Sequence, residues 1–399
     1  MDILELALQR AKAENLSDFQ RAQGIPATGT LDELTRQALT PFLVGYTTER
    51  IRAGDTLYLL AQRFGTSVQA IQTANPGLAE RNLPIGRVIT IPLGFDVIPT
   101  NVPFTSKVLQ YCIRGLTARY PFLSEQQIAR TKQGTPVHLL RVGTGPRCVF
   151  YNASHHANEW ITTPLLMKFL EDYCRAVSDD TELMGVSARA LYERVSLYIV
   201  PMVNPDGVDL VTGLYAPDSE PYQSARELAK DYPSIPFPDG WKANLAGVDL
   251  NLNYPAGWEE AKRIKAEQGF TGPAPRDFVG FAPLDQPEAA AMVEWTRKLN
   301  PELTLSYHTQ GRVIYWKYLD LQPPGAKELG ELFAQTSGYA LEDTPYASGF
   351  AGYKDWFIQE YNRPGYTIEV GLGENPIPLD QFDEIYEENL GILILGMTG

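Results

Sequence analysis

Four strand-like runs set the strongest constraint on how this chain can fold. RCVFYNA (147–153), RVSLYIVPMV (194–203), LTLSYHT (303–309) and GYTIEVG (365–371) are rich in β-branched and aromatic residues, a composition that suits buried, pleated backbone. Between them run segments of helical period, as in Leu165, Leu166, Phe169, Leu170 and Tyr173. This alternation predicts an α/β sheet flanked by helices, with functional groups gathered at strand ends. The chain's 399 residues exceed one average domain, and 44% hydrophobic against 21% charged residues leaves enough apolar mass for a sizeable core. A net charge of -14 disfavours nucleic acid and anionic membranes as partners. No apolar run has the length of a membrane span, and MDILELALQRAKAENL reads as an amphipathic helix, not as a secretory leader. Cys112, Cys148 and Cys174 are odd in number and widely spaced, which suits buried thiols in a reducing compartment better than a disulfide framework.

Two small units precede the strand-rich region. In residues 1–43, Leu4, Leu8 and Ala11 recur at helical spacing, and a Gly/Pro turn leads to a second helix near 31–39. Phe19, Gln20, Gly24, Thr28, Gly29, Leu31, Asp32 and Leu39 resemble part of a helical peptidoglycan-binding module. Residues 44–94 read as a short strand, two helices and a closing strand. Gly54-Asp55-Thr56, Leu60-Ala61, Phe64, Asn75-Pro76 and Ile85-Gly86 make this segment similar to a LysM module. That resemblance implies that glycan sits between Gly54, Asp55, Thr56 and Leu57 on one loop and Leu83, Pro84, Ile85 and Gly86 on the other. A Pro-interrupted linker is expected at 93–104, with a catalytic domain over 95–399.

The chain has only four histidines, His138, His155, His156 and His308. His156 and Glu159 follow the first strand run at a spacing that lets an imidazole and a carboxylate converge on one ion, and His308 ends another run; zinc takes these ligand types in catalytic sites. Residues alone leave His155, four positions before Glu159, as an alternative to His156. His138 reads as structural.

Across about 105–395, His156-x-x-Glu159-Trp160, Asn204-Pro205-Asp206-Gly207, Gly247-Val248-Asp249-Leu250-Asn251, Ser306-Tyr307-His308 and Thr367-Ile368-Glu369 resemble, in order, the motifs of the zinc carboxypeptidase family. The resemblance implies a mixed-sheet catalytic domain and one zinc per chain on His156, Glu159 and His308. It also implies that Asp249 orients His156 and that Glu369 is the general base.

Departures from that family pattern point to the substrate. Leu252 stands where the family keeps the arginine that grips a terminal carboxylate, while Asn251 remains; Lys242 replaces the arginine that polarises the scissile carbonyl. Tyr346 matches the family's mobile tyrosine after a one-residue insertion. Lys354 falls at the base of the leaving-group pocket and implies a leaving residue with an extra carboxylate, such as diaminopimelate. With the wall-binding modules, the pattern resembles bacterial γ-D-glutamyl-L-diamino-acid endopeptidases acting on peptidoglycan stem peptides. A cytoplasmic or spore- and wall-associated bacterial protein, active in sporulation or wall recycling, is expected. An ordinary metallocarboxypeptidase and a non-catalytic wall-binding protein are the alternatives; oligomeric state is unspecified.

Overall fold

The computed structural model describes residues 2–79 and 83–399, and its chain divides into two compact units. The first gathers the residues up to Pro103 with Lys107–Ser124 and Glu171–Thr181; the second holds Phe104–Ser106, Glu125–Leu170 and Glu182–Gly399.

The first unit begins with three short helices, Ile3–Arg10, Leu16–Ala22 and Glu33–Val44, each started by an acidic or amide side chain, Asp2, Asn15 or Asp32, that accepts a free backbone N–H of the first turn. They close on Ala7, Phe19 and Leu39. Gln20 is fully buried yet satisfied: its amide donates to Thr30 O (2.9 Å) and to the hydroxyls of Thr28 (3.0 Å) and Thr35 (2.7 Å), while Gly29 N donates to its oxygen (2.8 Å). One side chain thus shapes the Gly/Pro turn, as expected of a buried polar group that must find partners.

Strand β1 (Tyr46–Arg50) then pairs antiparallel with β2 (Val88–Pro92) around the helices Leu57–Phe64 and Val68–Ala74. Ile51, Leu57, Leu60, Ala61, Ile71, Leu78, Ile89 and Ile91 form their core. Asn75 binds Ile71 O and Thr90 O (both 2.7 Å) and accepts from Thr90 N (2.9 Å), tying the second helix to β2. Ile51 O accepts from Gly86 N (2.8 Å) and Ile51 N donates to Arg87 O (2.9 Å), which makes the loops at 52–57 and 83–86 neighbours. The Pro-interrupted segment expected as a linker is no loose tether: Val97, Ile98 and Val102 are buried, and the Val97 and Ile98 N–H groups donate to the Glu171 carboxylate at 2.7 and 3.0 Å.

The second unit is built on an eight-stranded mixed sheet. Its strands are β3 (Ser124–Arg130), β4 (Pro136–Val142), β5 (Arg147–Ala153), β8 (Val195–Val200), β9 (Leu303–Thr309), β10 (Val313–Tyr315), β11 (Ala340–Glu342) and β12 (Gly365–Val370); β6 (Glu182–Leu183) and β7 (Val186–Ser187) form a separate hairpin. The sheet order is β11-β10-β12-β9-β5-β8-β4-β3. β12, β9, β5 and β8 are parallel, and every residue of β9 is buried; β5 and β8 run as near-continuous apolar stretches, whereas β9 and β12 alternate, setting Ser306, Thr367 and Glu369 between apolar residues and His308 next to Tyr307. The expected α/β class is therefore correct. Parallel strands deliver their carboxyl ends to one edge, and the register places Glu369 of β12 directly beside His308 of β9.

Candidate active site

His156 leaves β5 at the start of a single 3-10 turn, Ala157–Glu159, which brings Glu159 round to the same side. His156 Nδ1 lies 2.9 Å from Glu159 Oε1, His308 Nδ1 lies 2.9 Å from Glu159 Oε2, and the two imidazole nitrogens are 3.3 Å apart. These ligand atoms fall within 4.8 Å of one another, the one such group among the described residues. Asp249 holds the arrangement from behind. Its Oδ1 accepts from His156 Nε2 (3.0 Å) and Asn251 N (3.2 Å), and its Oδ2 accepts from Asp277 N (3.2 Å). A carboxylate on Nε2 keeps the proton there and leaves the Nδ1 lone pair facing Glu159 and His308.

His155 turns the other way. Its Nε2 meets Tyr254 OH at 2.9 Å, its ring stacks on His308, and burial, reinforced by the other two imidazoles, drives its pKa well down. His138 pairs with Glu125 (2.7 Å), outside this cluster.

The Asn-Pro-Asp-Gly motif explains the loop geometry. Asn204 accepts from Gly207 N (3.1 Å), starting its helix, and its amide nitrogen donates to His155 O (3.2 Å) and Ala243 O (3.0 Å). The loop bearing His156 is thereby pinned to the one bearing Lys242, a link reinforced by Ala157 N donating to Lys242 O (3.0 Å).

Lys242 Nζ donates to Glu159 Oε1 (2.8 Å), and although burial opposes the charge, Glu159 raises its pKa and keeps the ammonium protonated. Burial likewise opposes ionisation of Glu159, yet His156 and Lys242 hold its carboxyl well below the usual carboxylate range. Glu369 behaves oppositely: burial, reinforced by the charge of Glu159, pushes it up to about 8.

Two cavities meet at these groups. One, of about 260 Å³, includes Asn251, Leu252, Lys354, Asp355 and Glu369 in its lining. The other, of about 740 Å³, is bounded by Asn158, Gly240, Gln310 and Asn375; Lys242, Arg276, Tyr315 and Glu369 line both. In the smaller cavity Asn251 Oδ1 accepts from Tyr353 N (3.0 Å), leaving its amide nitrogen to donate, while Leu252 belongs to the hydrophobic core and offers no polar atom. Lys354 is 4% exposed. Its Nζ donates to Lys317 O (2.7 Å) and Thr344 Oγ1 (3.3 Å) and sits 2.6 Å from Asp355 Oδ1, so the pocket base carries an ion pair where the sequence suggested a lone cation.

Tyr346 is not brought to the cluster: it is 63% exposed, and its hydroxyl donates to Glu260 (2.9 Å). In the LysM-like segment Ile85 is 72% exposed and Gly54 and Thr56 are exposed, whereas the Leu57 side chain lies in the core, so only its backbone faces the loop.

Residues 109–391 match the zinc carboxypeptidase family. This chain belongs to the zinc carboxypeptidase family. Residues 50–92 match the LysM domain. Gamma-D-glutamyl-L-diamino acid endopeptidase 1 of Lysinibacillus sphaericus is 45% identical over 285 residues, 71% of this chain and 70% of that protein. The uncharacterized protein YqgT of Bacillus subtilis (strain 168) is 36% identical over 339 residues, 84% of this chain and 86% of that one. Among solved structures, bovine thrombin-activatable fibrinolysis inhibitor in complex with tick carboxypeptidase inhibitor superposes with a TM-score of 0.57 at 16% identity, over 74% of this chain and 96% of that one, a likeness of fold alone.

As a zinc carboxypeptidase family member the chain is a zinc metallopeptidase, and its donor set fits that ion: two imidazole nitrogens and a carboxylate converge, with a second carboxylate fixing one tautomer. Among the cleft residues that carried no sequence signal are Lys265, Arg276, Asp277, Tyr315 and Asp355. Only Asp355, adjacent to Lys354, could have been guessed from chain position.

Proposed function

We propose that the chain is a zinc-dependent peptidoglycan hydrolase that cuts the bond between γ-D-glutamate and diaminopimelate in stem peptides. The observation that carries this reading is the charge pattern of the smaller cavity. Leu252 supplies no grip on an ordinary terminal carboxylate, while the pocket base presents Lys354 and Asp355 together. A side chain ending in both an ammonium and a carboxylate, as in diaminopimelate, matches that pair in sign at both ends. The named Lysinibacillus relative supports the same bond.

In this reading His156, Glu159 and His308 hold one zinc per chain, and Asp249 orients His156. Zinc supplies Lewis acidity and an acidified water at such a site. Glu369 takes the proton of the attacking water and returns it to the leaving amine, a task suited to a carboxyl whose pKa is raised toward neutrality. Lys242, kept charged, stabilises the carbonyl oxygen as negative charge develops on it. Asn251 orients the leaving residue.

The proposed organisation is a helical peptidoglycan-binding module over 1–43, a LysM module over 44–94 and the peptidase beyond. The adjacent loops carrying Gly54, Asp55 and Thr56 and Leu83, Pro84, Ile85 and Gly86 would hold glycan strands and raise the local concentration of stem peptides. Among the described residues no helix is long and apolar enough to cross a membrane. A bacterial protein of the cytoplasm, spore or wall fits this assignment. Incubation with a defined stem tetrapeptide, with fragments identified by mass, is expected to give L-Ala-γ-D-Glu as the acyl product. Release of the terminal D-Ala instead would return the chain to carboxypeptidase action.

A further inference from the structure

Arg276 is a cationic side chain of the cleft that the mechanism leaves unused, and, unlike Lys265, it has its end groups open. Its backbone is stapled into the metal site on both sides. Pro275 O accepts from Lys242 N (2.8 Å) and Ala243 N (2.9 Å), and Asp277 N donates to Asp249 (3.2 Å). Arg276 Nε donates to Asp277 Oδ2 (2.6 Å), which orients the fork, while Asp277 Oδ1 already accepts from Lys265 Nζ (2.5 Å). Asp277 is thus shared between two cations and does not cancel Arg276. Both terminal guanidinium nitrogens make no hydrogen bond with the described residues, and the side chain is 40% exposed.

Arg276 lines both cavities where they meet beside Lys242 and Glu369, and the larger cavity opens the acyl side of the scissile bond to it. Of these two cavities, Lys354 and Asp355 line the smaller, which the proposed function gives to the leaving residue; the larger one therefore takes the acyl half. The larger cavity has two cations in its lining, Lys242 and Arg276, and Lys242 is engaged with Glu159. In a γ-glutamyl bond the side-chain carboxyl is the acyl group, so the α-carboxylate stays free a few carbon–carbon bonds from the reacting carbonyl. An α-linked residue without an acidic side chain has no carboxylate there.

We infer that Arg276 binds the free α-carboxylate of the γ-linked D-glutamyl residue and so selects γ-linked acyl groups. The inference rests on the proposed cleavage site and names the recognition element for its acyl side. A planar fork with two open donors suits a carboxylate in a way that a lysine does not.

Two stems separate the possibilities, L-Ala-γ-D-Glu-meso-diaminopimelate and the same peptide with the D-glutamyl α-carboxylate converted to its amide. The intact zinc-loaded enzyme is expected to cut the first with about ten- to a hundredfold higher kcat/KM, the range for one charge-assisted contact. Arg276→Gln should lose that factor on the carboxylate stem while its rate on the amide stem stays within about threefold, and Arg276→Lys should fall between. Equal cutting of both stems by the wild type, or equal losses on both in Arg276→Gln, overturns the role of Arg276 and leaves the γ-glutamyl assignment standing. If Arg276→Gln does not fold, judged by its melting transition, the wild-type preference and Arg276→Lys decide. A wild type that leaves both stems intact at that bond overturns the cleavage assignment, and this inference with it.

Discussion

Asp249→Asn tests whether the site depends on an oriented imidazole. Asp249 accepts three hydrogen bonds, from His156 Nε2, Asn251 N and Asp277 N. An asparagine keeps one acceptor oxygen, but its amide nitrogen must face either the imidazole or the Asp277 N–H, donor against donor. That costs about 1 to 3 kcal/mol in a site this buried. Loss of the negative charge also makes His156 a weaker base. Together these effects predict a ten- to hundredfold weaker hold on zinc, about 1.4 to 2.8 kcal/mol. The assay is zinc competition against a chromogenic chelator at neutral pH, with the far-ultraviolet spectrum checking that the fold persists. Zinc affinity within threefold of wild type, with turnover unchanged, would refute the argument that Asp249 fixes His156.

Further substitutions separate chemistry, specificity and stability. Glu369→Gln should bind zinc normally and lose a hundredfold or more in kcat, since a general base is removed without disturbing the ligands; normal zinc content with near-wild-type turnover would sink its role. Lys354→Ala should cost roughly ten- to a hundredfold on a diaminopimelate stem and much less on its lysine counterpart, which lacks the second carboxylate; equal losses would count against the pocket assignment. Ile85→Asp in the full chain should reduce sedimentation with insoluble peptidoglycan, and unchanged sedimentation would remove the loop at 83–86 from glycan binding. Burial, with a push from Asp206, raises Glu288 to about 7 from an ordinary 4.5. The folded state then holds its proton more tightly than the unfolded one, so stability is full below about pH 4.5 and falls as pH rises toward 7. The loss is about 3 kcal/mol at most, and chemical denaturation of Glu288→Gln should lack that slope.

The four strand runs were legible because they are rich in β-branched and aromatic residues, and each became a strand of the central sheet. The edge strands β3 and β11, and the short β10 beside β11, were not legible. β3, SEQQIAR, is largely exposed, and β10 and β11 have three residues each, too few for a period to show. Scarce histidines at strand ends narrowed the potential ligand group to Glu159, His308 and one of His155 and His156; the choice of His156 came from the family resemblance, since both stand on the same loop. Arg276 and Asp277 lie in a Gly/Pro-rich loop with no period at all, and only hydrogen bonds to Lys242, Ala243 and Asp249, distant in sequence, bring them into the cleft. Tyr346 shows the converse limit: it has a motif position, but the loop as folded spends its hydroxyl on Glu260.

The cleft's charges also bear on how one family scaffold can change its substrate. An exopeptidase needs a strong cation at the end of its pocket. Here that position is Leu252, packed among Tyr254, Met292 and Tyr353 in the core, so an arginine introduced there would have to displace apolar contacts before it reached a substrate. The cations that remain stand along the cleft, each beside an acid: Lys242 on Glu159, Lys354 beside Asp355, and Arg276 and Lys265 on Asp277. Such pairs limit the repulsion among like charges near the metal ligands. They also mean that a substrate carboxylate gains most where a donor is still open, or where the substrate brings its own ammonium for the paired acid, as a diaminopimelate end would at Lys354 and Asp355. Arg276, with both terminal nitrogens unengaged, meets that condition on the acyl side, and the Asn251 amide meets it on the leaving side. On the proposed function, a peptide anchored on both flanks of the scissile bond needs no free end at position 252, which would give cutting within a stem peptide a geometric basis.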